Sequence, residues 1–116
     1  MRRDDSVYLR HILDAIALIE EYTAGLDEAA FSRNTLARDG VIRQLEIMGE
    51  ATKRLSQALR AQNPDVPWQV VAGMRDKLIH DYMGVEEQTV WLTVKMSLPP
   101  FKSHIQRILS ELKGQD

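Results

Sequence analysis

A chain of 116 residues with 44% hydrophobic content is large enough to bury one core and too small for two, so residues 1–116 are expected to fold as a single domain. A formal net charge of −2 excludes indiscriminate coating of nucleic acid, which depends on excess Lys and Arg, and the absence of cysteine excludes disulfides, thiolate nucleophiles and Cys-type zinc sites. No apolar run approaches the roughly 18 residues of a membrane span, and Met1-Arg2-Arg3-Asp4-Asp5 is not followed by a signal-type apolar core, so a soluble, cytoplasmic protein with no membrane contact is expected.

Residues 6–24 read as an amphipathic helix: Leu9, Ile12, Leu13, Ile16 and Ile19 recur at helical spacing, Asp5 or Ser6 is available as N-cap, and Gly25 ends it. His11 is expected to be a packing or surface residue, since no second His or carboxylate stands at metal-ligand spacing. Residues 26–33 read as a short ordered loop anchored by Phe31. A long helix follows from about Asn34, its stripe running through Val41, Leu45, Met48, Thr52, Leu55 and Leu59 and widened by Ile42, Ile47 and Ala58. This segment carries the only local positive excess, with six basic and three acidic residues over 33–60. Gly40 and Gly49 each cost roughly 1 kcal/mol against Ala inside a helix, which points to a close approach of another backbone at one of them. Glu50, beside Gly49, is then partly buried and a candidate partner for Arg75 or His80.

Asn63-Pro64-Asp65-Val66-Pro67 breaks the helix, and Pro67 suits the start of the next one, led by Trp68. Another helix is expected from Val85-Glu86-Glu87 through Val90, Trp91 and Val94, then a kink or break at Pro99-Pro100, and a last amphipathic segment through Phe101, Ile105, Ile108, Leu109 and Leu112, with His104 on its polar side. No hairpin dipeptide, glycine-rich phosphate loop, metal cluster or repeat is present. The expected fold is all-α, an up-and-down bundle of four to five helices.

The chemistry concentrates in Arg75-Asp76-Lys77-Leu78-Ile79-His80-Asp81-Tyr82. A helical rotation of about 100° per residue puts Arg75, Leu78, Ile79 and Tyr82 on one face and turns His80 roughly 140° from Arg75. Asp76 and His80 form an i,i+4 pair in which the carboxylate is expected to hold one imidazole nitrogen and leave the other free as acid or base. Charge on a helix is most often its solvated face. Here Arg, His, Asp and Tyr cluster beside the apolar run 68–74, a combination able to bind and cleave a phosphodiester.

Tyr8-Leu9-Arg10-His11-Ile12-Leu13-Asp14-Ala15-Ile16, Val41 to Ala51 with its Gly49-Glu50-Ala51, Val66-Pro67-Trp68 and Gly73 to Tyr82 together resemble the HepT-like branch of the HEPN superfamily. The pattern Arg-x4-His-x-Tyr is weak alone; Gly-Glu-Ala and Pro-Trp upstream make it specific. The resemblance implies a helical homodimer whose Arg75 and His80 line a cleft at the interface. It also implies a ribonuclease that needs no metal or cofactor and is the toxin of a type VII toxin–antitoxin pair. The partner would be a minimal nucleotidyltransferase of the MntA type, which transfers AMP to Tyr82. Many relatives carry Asn after the motif Arg, whereas this chain has Asp76, whose charge partly cancels Arg75.

Two functions follow as expectations. In the first, an endoribonuclease, His80 moves a proton at the ribose 2′-hydroxyl or the leaving oxygen, Arg75 stabilises the phosphorane, and Asp76 sets the His80 tautomer. In the second, a non-catalytic helical adaptor presents a nucleotide or polynucleotide to a nucleotidyltransferase, with Arg75 and His80 binding phosphate only.

Overall fold

The computed structural model describes residues 2–80 and 87–114, and within them every element is helical. In chain order these are α1 (Arg2–Thr23), α2 (Glu28–Arg33), α3 (Thr35–Arg54), α4 (Gln57–Gln62), α5 (Trp68–His80), α6 (Glu87–Leu92) and α7 (Leu98–Gly114), the last two joined by a π-helical turn, Thr93–Ser97. The bundle expected from the sequence is present. Its centre is the pair α1 and α3. The start of α1 meets the end of α3, where Asp5 reaches Ser56, and the end of α1 meets the start of α3, where the Tyr22 ring faces Gly40; the two helices are therefore antiparallel. Leu9, Ile12, Ile16 and Ile19 from α1 and Val41, Leu45 and Met48 from α3 are essentially sealed from solvent. Each such side chain contributes about 1.5–3 kcal/mol by leaving water. Ile105 and Ile108 of α7 close the same core, and α5 packs on the other side of α3.

Four local expectations are corrected. Asp5 does not cap α1. It lies inside the helix, 5% exposed, and accepts hydrogen bonds from the Ser56 amide at 2.8 Å and the Ser56 hydroxyl at 2.7 Å. That contact explains the second correction. The long helix does not run to Leu59: it stops at Leu55, whose backbone is extended, and restarts as α4 with Ser56 as N-cap accepting from the Leu59 amide. The hydrophobic stripe continues across the break, so Leu55 and Leu59 are buried as expected, while Ala58 is exposed.

Third, residues 28–33 form a helix and not a loop. Six residues are too few to be helical on propensity alone. Asp27 caps the first turn at 2.8 Å from the Ala30 amide, and Phe31, 1% exposed, fastens the turn to the core against Trp91. Fourth, Pro99-Pro100 does not break the chain. Both prolines sit in the first turn of α7, where a missing N–H costs least, and the preceding π turn takes up the register, with the Leu98 amide donating to Thr93 O.

The two α3 glycines are both close approaches. At Gly40 a Cβ would stand 3.0 Å from the Tyr22 ring; at Gly49 it would run into α5, overlapping Arg75 Cβ and lying 3.1 Å from Val71 O. Gly49 is thus where α3 and α5 cross backbone to backbone, at the residue that begins the charged motif.

Candidate active site

Helix α5 is positioned at three places. At its start the Trp68 indole, 7% exposed, donates to Asn63 O at 2.9 Å and sets its ring edge-on against Phe101. In the middle, Val71 and Arg75 rest on Gly49. Near the end Leu78 is buried, at 3% exposure. The buried strip is flanked by exposed apolar side chains on its two sides: Val70 is 72% and Ile79 44% exposed, about 180° apart on the helix. Helical spacing alone put Leu78 and Ile79 on one face with Arg75, but only Leu78 turns inward, because the α3 contact follows Val71, Arg75 and Leu78.

From this seat Arg75 points along α3. Its Nε lies 3.3 Å from Glu50 Oε1 and its NH1 3.0 Å from Asp76 Oδ1. The first contact is electrostatic: Nε is buried and makes no directed hydrogen bond among the described residues. Glu50, half-buried as expected beside Gly49, holds Arg54 Nε on its other oxygen at 3.0 Å. Asp76 Oδ1 is shared with Lys53 Nζ at 3.1 Å. Three cations and two carboxylates therefore alternate across the crossing in the order Lys53, Asp76, Arg75, Glu50, Arg54. The hydrogen bond from Lys53, followed by that from Arg75, holds the Asp76 carboxyl below its ordinary range. Arg54 is pushed up, chiefly by its hydrogen bond to Glu50 and next by the nearby Tyr8 phenol.

The structure brings Glu50, Arg75 and Asp76 together and leaves His80 apart. His80 is exposed on the last turn of α5, and among the described residues no hydrogen bond or ion pair joins it to Asp76. The expected Asp76–His80 contact is corrected here: the single Asp76 oxygen in play is taken by an adjacent guanidinium and by a cation from α3. Tyr82, the expected modification site, lies outside the described residues. Sequence reasoning missed Lys53 and Arg54. Their signal was the basic pair following Glu50 in the one positively charged segment of the chain.

The ribonuclease HepT-like family profile matches residues 12–108, a span that includes the whole crossing and the motif. The chain belongs to that family. Its relatives include "Probable ribonuclease HepT" of Thermococcus cleftensis, 40% identical over 93% of this chain and 98% of the relative, and "Putative RNase MJ1216" of Methanocaldococcus jannaschii, 36% identical over 99% and 95%. A third, "Gamma-glutamylcyclotransferase and putative RNase MJ0434" of the same organism, is 44% identical over 97% of this chain, which spans only 50% of its length. No solved structure matches. No described helix is long and apolar enough to cross a membrane.

The Asp76 carboxylate competes with any incoming phosphate for Arg75 and Lys53. Asp76→Asn is therefore expected to tighten RNA binding and to steepen its loss with salt, by about 0.7 in the log–log slope for each additional phosphate neutralised on a single strand. A depressed carboxylate stabilises the fold above its unfolded pKa of 3.8, and that contribution is lost as pH falls through the lower folded value. The small stability deficit of Asp76→Asn at neutral pH should accordingly shrink below about pH 4. Salt titrations of binding and acid melts of both proteins check this, and an unchanged salt slope would sink it.

Proposed function

We propose that residues 1–116 act as one domain of a homodimeric, metal-independent endoribonuclease, the toxin of a type VII toxin–antitoxin pair. The observation that carries the reading is the divergence of Arg75 and His80 on α5. Arg75 turns to the α3 crossing, while His80 stands five residues on, about 7.5 Å further along the axis and roughly 140° round it. One protomer does not present both to one phosphate; two copies related by a dyad can. His80 of one copy then takes or returns the proton at the 2′-hydroxyl or leaving oxygen. Arg75 of the other stabilises the charge that builds on the phosphorane. Glu50 and Asp76 orient Arg75 in the resting state and yield it to the substrate.

Attack by the 2′-hydroxyl requires a base, an acid and a fixed cation, so cleavage is expected to persist in excess EDTA, to leave 2′,3′-cyclic phosphate ends and to spare an all-2′-deoxy oligonucleotide. Incubating the purified chain with tRNA and with total RNA tests this; RNA that stays intact throughout would refute it.

The pairing of Arg75 with two carboxylates in the resting chain favours a second reading, the non-catalytic adaptor, which predicts RNA binding without cleavage. Under the first reading the antitoxin is a minimal nucleotidyltransferase of the MntA type that adds AMP to Tyr82, whose bulk and negative charge would compete with RNA for Arg75 and His80. A mass increase of AMP units on the Tyr82 peptide, and escape of Tyr82→Phe from inhibition, are the expected results.

A further inference from the structure

The run of paired charges does not stop at Arg54. Beyond it, across α3 from the motif, stands the first half of α1, and there the Tyr8 phenol lies near enough to the Arg54 guanidinium to help hold its proton. One helical turn on, the His11 ring meets the Tyr8 ring edge-on, with centroids 5.9 Å apart and planes at 82°. Tyr8 is half-buried, its inner side packed on the core, so its ring is held rather than free; His11 is exposed. Arg54 keeps 59% of its side chain in solvent. Two rings at right angles make an inner corner, with one face to stack on and one edge to abut, and a guanidinium stands at its rim. Arg54 is linked through Glu50 to Arg75, and neither ring is used by the chemistry proposed above.

We propose that Tyr8 and His11, with Arg54 at their rim, form a nucleobase subsite that holds the nucleotide next to the one whose phosphate reaches Arg75. The ligand is single-stranded RNA, and its identity rests on the ribonuclease reading. Sequence-tolerant recognition of single strands combines a cation for the phosphate with aromatic faces for the base, because every base offers a π-face whereas a paired duplex hides it. The Tyr8–His11 corner supplies one face and one edge for the base, and Arg54, tethered by Glu50 on one side only, turns its remaining donors to a phosphate oxygen. The strand would therefore cross the helices from α1 over α3 to α5, and the transfer of Glu50 between Arg54 and Arg75 would couple loading of the base to release of Arg75.

The test is the affinity of the full chain for a short single-stranded oligoribonucleotide, 2′-O-methylated throughout so that cleavage does not intervene, and for the same strand built of abasic ribose units. His11→Ala and Tyr8→Ala are each expected to weaken the base-bearing strand about tenfold, the usual scale of losing one stacked base, and to leave the abasic strand unchanged. Tyr8→Phe, which keeps the ring, should bind within about twofold of wild type. His11 is exposed, so its variant decides the matter even if Tyr8→Ala fails to fold. Wild-type affinity in a folded His11→Ala protein overturns the subsite, as does equal weakening for both strands or a wild type that binds neither. If the binding pattern is as stated but an unmodified RNA is never cut, the subsite stands and the ribonuclease reading falls.

Discussion

Arg75→Ala and His80→Ala are each expected to lower RNA cleavage by about 10²-fold or more, the scale of removing a general acid or base or the cation that meets developing charge. Both should keep wild-type helicity and melt close to wild type. Ala at position 75 retains the Cβ that rests against Gly49, so the crossing of α3 and α5 survives, and His80 is exposed at the end of its helix. A decisive arm is complementation. If Arg75 of one protomer serves with His80 of the other, refolding the two dead variants together rebuilds one whole site in each mixed dimer and returns part of the activity. A site made within one protomer would recover nothing, because every chain in the mixture lacks one member, so recovery is what identifies sharing between copies. Sedimentation at micromolar concentration should show the dimer. Full activity in either single variant, or its unfolding, would remove that residue from the chemistry.

Much of the fold was legible because it is written in period. Leu9, Ile12, Ile16 and Ile19, and Val41, Leu45 and Met48, recur at helical spacing and are among the side chains the bundle buries most completely. What was not legible depended on partners distant in sequence. Asp5 looks like a cap from its neighbours; only the fold brings Ser56 to it from 51 residues away, and that contact cuts a helix the stripe alone would continue. Phe31 was visible as an anchor, but a six-residue helix held by one aromatic has no periodicity to read. At the site the same division holds. Glu50 beside Arg75 followed from Gly49, since a glycine inside a good helix signals a neighbour and the residue next to it must share that neighbour. The Asp76–His80 contact rested on the i,i+4 rule, worth only a few tenths of a kcal/mol. Lys53, delivered by the same crossing, prevailed over it.

Gly49→Ala provides the sharpest test of that crossing, because Gly73→Ala in the facing helix should move stability the other way. Replacing a helical glycine by alanine stabilises by about 1 kcal/mol when the methyl has room, since the unfolded chain loses freedom it would otherwise keep. Gly73 has room: nothing stands within 4 Å of its added Cβ. At Gly49 the same methyl overlaps Arg75 Cβ and lies 3.2 Å from Arg75 Cα and 3.1 Å from Val71 O, atoms fixed to the α5 backbone that do not swing aside. Overpacking of that kind costs about 1–3 kcal/mol, so the intrinsic gain is cancelled and the net is a loss of up to about 2 kcal/mol, or several degrees in Tm. The shift that relieves the overlap moves α5 away from α3, lengthening the Arg75–Glu50 contact and displacing Arg75 from the place proposed for it at the phosphate. Cleavage should therefore fall by about tenfold or more at temperatures where Gly49→Ala is still folded, since small misplacement of a catalytic group is costly. Gly73→Ala should melt higher than wild type. A Gly49→Ala protein as stable and as active as wild type would mean that α3 and α5 do not cross at Gly49, and that Arg75 is placed by something other than this contact.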